Sequence, residues 1–171
     1  MPGTGLVDMV SPPTVAEWGR SFERYLATGD RQVPRELVER GQQVYLRLAR
    51  SQGKTRLLHG DLQHYNVLFG AERGWLAIDP KGVTGETEFE LGASLRNPGE
   101  RPDLFASTKI VERRLELYAR RLEIDVERAL GWAYAQAVLS AIWAVEDGEV
   151  VEAGNSTFQL ANAIAPMLAS E

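Results

Sequence analysis

Two carboxylates, a carboxamide and a histidine fall close together near the middle of the chain. Residues 59–66 read His-Gly-Asp-Leu-Gln-His-Tyr-Asn, and residues 78–80 read Ile-Asp-Pro. A carboxylate at Asp61 is suited to accept the hydrogen bond of an attacking hydroxyl and then its proton. Asn66 offers a neutral amide oxygen and Asp79 an anionic one. Such sparse, hard oxygen donors are what Mg²⁺ takes when phosphate oxygens complete its shell. Hydroxyl activation beside a Mg²⁺ site is the chemistry of phosphoryl transfer, in which the protein mainly positions groups and neutralises charge. His59 is expected to brace the loop by hydrogen bonds, and Gly60 to permit a tight bend. A turn holding Asp and Asn is also a common capping device. The further carboxylate at Asp79, closing a predicted strand, tips the balance toward chemistry.

Those groups need elements to position them. Thr14 caps a helix expected to run about fourteen residues, with Trp18, Phe22 and Tyr25 or Leu26 on one face and Gly29-Asp30 ending it. Pro34 suits the first turn of the next helix, in which Leu37, Val44 and Leu48 recur at helical spacing. Thr55 to Leu58 reads as a strand delivering His59. Val67 to Phe69 and Trp75 to Ile78 read as two more, joined by a turn from Gly70 to Gly74. Val111, Leu115, Tyr118 and Leu122 mark a further helix. Asp125 caps a long one carrying Val126, Leu130, Tyr134, Val138 and Ile142 and stopping at Gly148. A last helix is expected from Ser156 to Leu168, with Pro166 disturbing its final turn. The fold class is therefore α+β, mostly α-helical, with a small β-hairpin carrying the catalytic loop. Residues 1–13, rich in Gly and Pro, read as a linker or arm, and residues 14–171 as one domain.

Composition narrows the function classes. A chain of 171 residues that is 44% hydrophobic can bury one core. With 19 basic against 24 acidic residues and a net charge of −5, no nucleic-acid partner is expected and a cationic ligand is suited. The absence of cysteine excludes disulfides, thiolate metal sites and cysteine nucleophiles. Met1 to Pro13 carry neither the basic start nor the apolar segment of a signal peptide. No apolar run approaches the ~20 residues that span a bilayer, so no membrane partner is expected and the location expected is cytoplasmic.

The wording around the two motifs resembles the aminoglycoside phosphotransferases, and within them the streptomycin and hydroxyurea-type antibiotic resistance kinases. The residues that carry it are His59 to Asn66, Trp75-Leu-Ala-Ile-Asp-Pro-Lys-Gly82, Glu90-Leu-Gly-Ala-Ser-Leu-Arg-Asn-Pro98 and Ile142-Trp-Ala-Val-Glu-Asp-Gly148. The resemblance is most specific from Leu58 to Pro98. It implies a C-terminal lobe like the large lobe of protein kinases, with ATP as phosphoryl donor and Mg²⁺ as cofactor. The acceptor it implies is a hydroxyl of a cationic sugar antibiotic such as streptomycin. On that basis Asp61 is the catalytic aspartate, and Asn66 and Asp79 are the magnesium ligands. Protein kinases share these spacings. Ile78-Asp-Pro-Lys-Gly82 where they carry Asp-Phe-Gly, with no Ala-Pro-Glu segment after it, favours a small-molecule kinase.

Gln63 departs from the His of many members, and Thr87 from a frequent Pro. No Gly-rich phosphate loop and no lysine ahead of a helix glutamate precedes the motif. Residues 1–54 are therefore expected to lack the nucleotide-binding small lobe, leaving a large lobe severed near the hinge. Such a lobe is expected to self-associate or to meet the missing lobe as a partner. Lys81 is placed to contact a transferred phosphate or to pair with a loop carboxylate. Glu90 is expected to open a helix and serve its dipole. In the acidic cluster of Glu146, Asp147, Glu149 and Glu152, the first two are candidates for gripping a cationic substrate, against the ordinary reading of a solvated acidic loop. Trp143 reads as core. Two function classes stay open. One is an ATP- and Mg²⁺-dependent kinase of an antibiotic hydroxyl, or of another small alcohol or amino sugar. The other is a truncated, catalytically silent remnant or substrate-binding module.

Overall fold

The computed structural model describes residues 11–168, so of the expected arm only residues 11–13 fall within it. Thr14 caps α1 (Val15–Trp18) through a reciprocal box: Glu17 N–H donates to the Thr14 hydroxyl at 3.2 Å, and Thr14 N–H to the Glu17 carboxylate at 2.7 Å. The single helix expected from Thr14 is in fact divided. Gly19 separates α1 from α2 (Arg20–Thr28) and lies under the Tyr45 ring, where a Cβ would come within 2.6 Å. α2 ends, as expected, at Gly29 in the left-handed conformation, φ 75°. α3 (Arg35–Arg50) starts later than expected: Pro34, with φ −55° and ψ 130°, takes the cap position rather than the first turn.

The loop region holds four short strands. β1 (Arg56–Leu58) ends at the His59 loop, and β2 (Val67–Gly70) and β3 (Gly74–Ala77) form the expected hairpin, with Val67 opposite Ala77 and Gly70 opposite Gly74. The fourth, β4 (Val83–Gly85), pairs antiparallel with β1 and sets Leu58 against Val83. Three residues ending in glycine carry too little alternation to be read as a strand. A neighbour holds β4 in place: Thr84 N–H donates to Pro13 carbonyl at 2.8 Å.

The remaining helices are α4 (Thr87–Leu95), α5 (Thr108–Ala119), α6 (Val126–Glu146) and α7 (Ser156–Ile164). Asp125 caps α6 as expected, accepting from Arg128 N–H at 3.1 Å. α6 is buried without a break from Ala129 to Leu139. A helix apolar on every face must be surrounded, and α3, α4 and α7 pack around this one. Trp132 stands at its centre, edge-on to Tyr45 and Phe89 with ring centroids 5.0 Å away in both cases. α5 buries Val111 and Leu115 but stops at Ala119, leaving Leu122 43% exposed beyond it. α7 gives way at Ala165 to a 3₁₀ turn containing Pro166, because proline supplies no N–H to continue the helix. A mostly helical α+β fold with small sheets is what the chain adopts.

The N-terminus of α4 is anchored through a buried carboxylate. Glu86, 2% exposed, accepts from the Trp132 indole, from the Arg128 guanidinium and from Gly53 N–H at 2.9 Å. Arg128 spends further donors on Leu48 carbonyl and Ser51 hydroxyl, both at 3.1 Å. Glu86→Gln removes the charge and leaves Arg128 facing a neutral partner. It is expected to lower unfolding free energy by about 3 kcal/mol in urea titrations, whereas Glu116→Gln, in the exposed pair with Arg120 at 3.8 Å, should change it by under ~1 kcal/mol.

Acid sensitivity comes from surface carboxylates. Backbone N–H and hydroxyl donors from Thr14 hold Glu17 below the usual carboxylate range, and Gln32 N–H with the Tyr25 hydroxyl does the same for Asp30. A depressed folded-state pKa stabilises above the unfolded pKa, and that stabilisation is lost as pH falls through the folded value. The urea midpoint is therefore expected to fall as pH drops below about 4, and less steeply in Asp30→Asn.

Candidate active site

The strands bring the two motifs together. Leu58 and Val83 face each other across β1 and β4, and His59 carbonyl accepts from Lys81 N–H at 2.9 Å and Gly82 N–H at 3.1 Å. The His59 ring reinforces this contact. Its Nε2 lies 2.8 Å from Ile78 carbonyl, while Nδ1 accepts from Asp61 N–H at 3.3 Å. A carbonyl can only accept and Nδ1 is itself accepting, which defines the neutral Nε2–H tautomer. Gly60 makes the bend at φ 80°, with no room for a side chain: a Cβ would sit 2.9 Å from Trp18 and 3.1 Å from Val83.

Asp61 points into a ring of donors. Its Oδ2 accepts from Asn66 Nδ2 at 3.2 Å, and Asn66 Nδ2 also reaches Asp61 carbonyl at 2.8 Å. Its Oδ1 lies 3.5 Å from the Arg96 guanidinium. Asn66 ends a 3₁₀ turn, His64–Asn66, whose start is capped by Gln63: Tyr65 N–H donates to Gln63 Oε1 at 3.2 Å. The same turn brings Tyr65 into a short hydrogen bond from its hydroxyl to Glu100, which pushes the Tyr65 phenol up and holds Glu100 below the usual carboxylate range.

At the open end of the hairpin Asn66 lies beside the residue that precedes Asp79. Val67 pairs with Ala77, so Asn66 stands next to Ile78, whose N–H donates to Asn66 carbonyl at 2.9 Å. Asp79 follows at φ 54°, a left-handed conformation that a non-glycine residue adopts at a cost. Its side chain is 66% exposed and paired with Lys81 Nζ at 3.1 Å. Asn66 commits its amide nitrogen to Asp61, which leaves its oxygen as the donor for a cation. No cluster of three or more His, Asp or Glu among the described residues would hold a metal unaided. One carboxylate and one amide oxygen fit Mg²⁺, which keeps water and phosphate oxygens in its shell.

Two positioning groups went unrecognised in the sequence. Glu90 does not open its helix; α4 begins at Thr87, with Glu86 as cap. The Glu90 carboxylate turns back to the loop, accepting from Gly60 N–H at 3.0 and 3.1 Å and from Leu62 N–H at 3.3 Å. It thus clamps the backbone on both sides of Asp61. Arg96, with a side chain 11% exposed, bridges Asp61 to Gln136, whose Oε1 accepts at 3.0 Å. Burial pulls the Arg96 pKa down, and the Asp61 and Glu90 charges push it back up. Both residues lie in the segment quoted for the resemblance, yet nothing local marks their partners, which lie on another element.

The acidic end of α6 is held by α2. Glu146 pairs with Arg24 at 3.1 Å and accepts from the Ser21 hydroxyl at 3.2 Å, while Asp147 follows as the exposed helix cap. Trp143 donates to the same Ser21 hydroxyl at 3.1 Å and packs edge-on against Trp18, centroids 5.4 Å apart. Trp18 in turn covers Gly60. Packing therefore links this acidic end to the catalytic loop.

A carboxylate at Asp61, an amide at Asn66 and a second carboxylate at Asp79 are groups of the kind that phosphoryl transfer uses. Residues 12–148 match the family described as aminoglycoside/hydroxyurea antibiotic resistance kinase, and the chain belongs to that family. Streptomycin 6-kinase of Streptomyces griseus is 38% identical over 94 residues, which are 54% of this chain and 31% of that protein. Streptomycin 3''-kinase of Klebsiella pneumoniae is 41% identical over 95 residues, 53% of this chain and 35% of that protein. Hydroxyurea phosphotransferase of Kitasatospora aureofaciens is 41% identical over 95 residues, 56% of this chain and 26% of that protein. The chain thus spans about a third or less of these relatives. No solved structure matches it significantly.

If Glu90 holds the loop, Glu90→Gln, which presents an NH₂ to the same amides, should speed hydrogen exchange at Gly60 and Leu62 by at least about ten-fold. Exchange in the centre of α6 should stay unchanged. Unaltered exchange at the two loop amides would remove the clamp from the account.

Proposed function

We propose that this chain is the catalytic and acceptor-binding lobe of an ATP- and Mg²⁺-dependent phosphotransferase that acts on a hydroxyl of an aminoglycoside-type antibiotic. The observation that supports the reading is the hairpin register with the His59 staple, which sets Asn66 beside Ile78, the residue before Asp79, and ties the Asp61 loop to the same segment. Asp61 accepts the acceptor's hydroxyl proton while the new oxygen–phosphorus bond forms and the bond to the leaving ADP breaks. The Asn66 amide and the Arg96 guanidinium orient its two oxygens. A bound Mg²⁺, held by the Asn66 oxygen and the Asp79 carboxylate, would neutralise charge on the phosphates. Lys81 leaves Asp79 to meet a phosphate oxygen. The low-dielectric wall of Trp18 and Val83 behind Gly60 limits water at the loop.

Relatives named for streptomycin support a guanidinium-bearing acceptor. Carboxylates are its natural partners, and Glu146 and Asp147, linked to the loop through Trp143 and Trp18, are the groups we assign to it. The kinase-type large lobe is the architecture this reading requires.

The test is phosphate transfer from radiolabelled ATP to streptomycin with Mg²⁺. Transfer by this lobe alone is expected to be weak or absent, because a donor needs a nucleotide-binding lobe that encloses it and excludes water. Any rate seen should fall by about 10³-fold in Asp61→Asn with streptomycin binding unchanged by calorimetry. Streptomycin binding without transfer would favour the substrate-binding module. Neither binding nor transfer would leave the silent remnant.

A further inference from the structure

We propose that the cavity beside the His59 to Asn66 loop is a binding site for a flat aromatic acid, a ring system bearing a single carboxylate or sulfonate. The cavity measures about 650 Å³ and lies between the loop residues Leu62 to His64, α4 and α5. That size falls within the roughly 300–1,000 Å³ of small-molecule sites. Asp61, Asn66 and Asp79 are not among its lining residues, so it is separate from the reacting groups. It is also unsuited to a cationic antibiotic, and its existence does not depend on what the acceptor is.

Shape and charge select the ligand. Leu62, Val67 and Leu91 contribute apolar wall, and Trp75 and Leu117, 73% and 52% exposed, flank the mouth. An exposed indole at the rim of an apolar cavity offers a face on which an aromatic ring can stack. Two charged side chains line the wall, Arg114 and Glu90, and the Glu90 charge is offset by the buried Arg96 guanidinium. Arg114 donates to three neutral acceptors, the carbonyls of Ser94 at 3.0 Å, Asn97 at 3.1 Å and Leu104 at 3.0 Å. No carboxylate pairs with it among the described residues. A guanidinium has five N–H donors, so Arg114 retains both its charge and free donors beside an apolar surface. Glu90, the carboxylate on the same wall, is occupied by the Gly60 and Leu62 amides. An anion therefore gains a charge-assisted contact here that a neutral ring does not. Because Leu62 to His64 form one side of the cavity, its occupant fixes the loop that carries Asp61.

Fluorescence titration of the chain with 8-anilinonaphthalene-1-sulfonate, an aromatic sulfonate, tests the site against its neutral counterpart N-phenyl-1-naphthylamine. One sulfonate per chain is expected, bound tighter than the neutral dye by about ten-fold or more, the order of a hydrogen bond to a charged group. Arg114→Lys should keep that preference and Arg114→Met should abolish it. Loss of three carbonyl bonds could unfold the latter, so Leu117→Glu carries the test independently. This exposed position tolerates the change, and a carboxylate at the mouth should weaken the sulfonate by about ten-fold with the thermal midpoint unchanged. Equal affinity for the two dyes, or sulfonate binding indifferent to Leu117→Glu, overturns the proposal. So does light scattering that shows a dimer excluding the dye, since a second copy would then cover the mouth.

Discussion

Two carboxylates one turn apart on α4 hold the site to the rest of the protein. Glu86 is desolvated, and a buried carboxylate is tolerable only if its charge and lone pairs are met. Arg128, Trp132 and Gly53 meet them, from α6 and from the turn after α3. That requirement locks the start of α4 into the helical core. Glu90, on the same face one turn later, uses the rigidity so gained to grip the backbone around Asp61. α4 is thus the joint between packing and chemistry, and displacing Glu86 would move the catalytic loop without touching it.

The loop is held mainly by polar contacts from outside itself. Glu90 takes its amides, His59 spans from Asp61 to Ile78, and Arg96 leans on Asp61 from beneath. Gln136 completes the set. It lies directly across Gly92, where a Cβ would come within 2.4 Å, and gives its oxygen to Arg96 and its NH₂ to Phe89 carbonyl. Each partner is itself satisfied, so the group behaves as a fixed electrostatic frame. By contrast the side chains of Asp79 and Lys81 are exposed and pair with each other. The proposed reaction, in which donor and cation arrive together, suits a frame that is rigid at Asp61 and open at Asp79.

The elements readable from the sequence were those with strong local signals. Thr14, Gly29, Asp125 and Pro166 act within one helical turn of themselves, and they mark boundaries where expected. The hairpin from Val67 to Ala77 is likewise a contiguous pattern. Gly19 splits the first helix because of a ring on α3, and β4 exists because β1 lies beside it. Neither cause is written in the neighbouring residues. Glu90 was read through its own helix dipole, the local explanation, while its partners lie 30 and 28 residues away.

What the sequence by itself determined was the family motif that holds Asp61, Asn66 and Asp79, and the helical frame around it. These follow from residue chemistry and short-range periodicity, which act along the chain. Tertiary structure alone decided how those groups are aimed. The pairing of Asn66 with Ile78, the clamp from Glu90, the contact of Arg96 with Asp61 and the cavity beside the loop all depend on strands and helices that pack from distant positions. Burial makes the polar contacts of Glu90, Arg96 and Asn66 obligatory, because a polar group removed from water must find its partner wherever the fold places one.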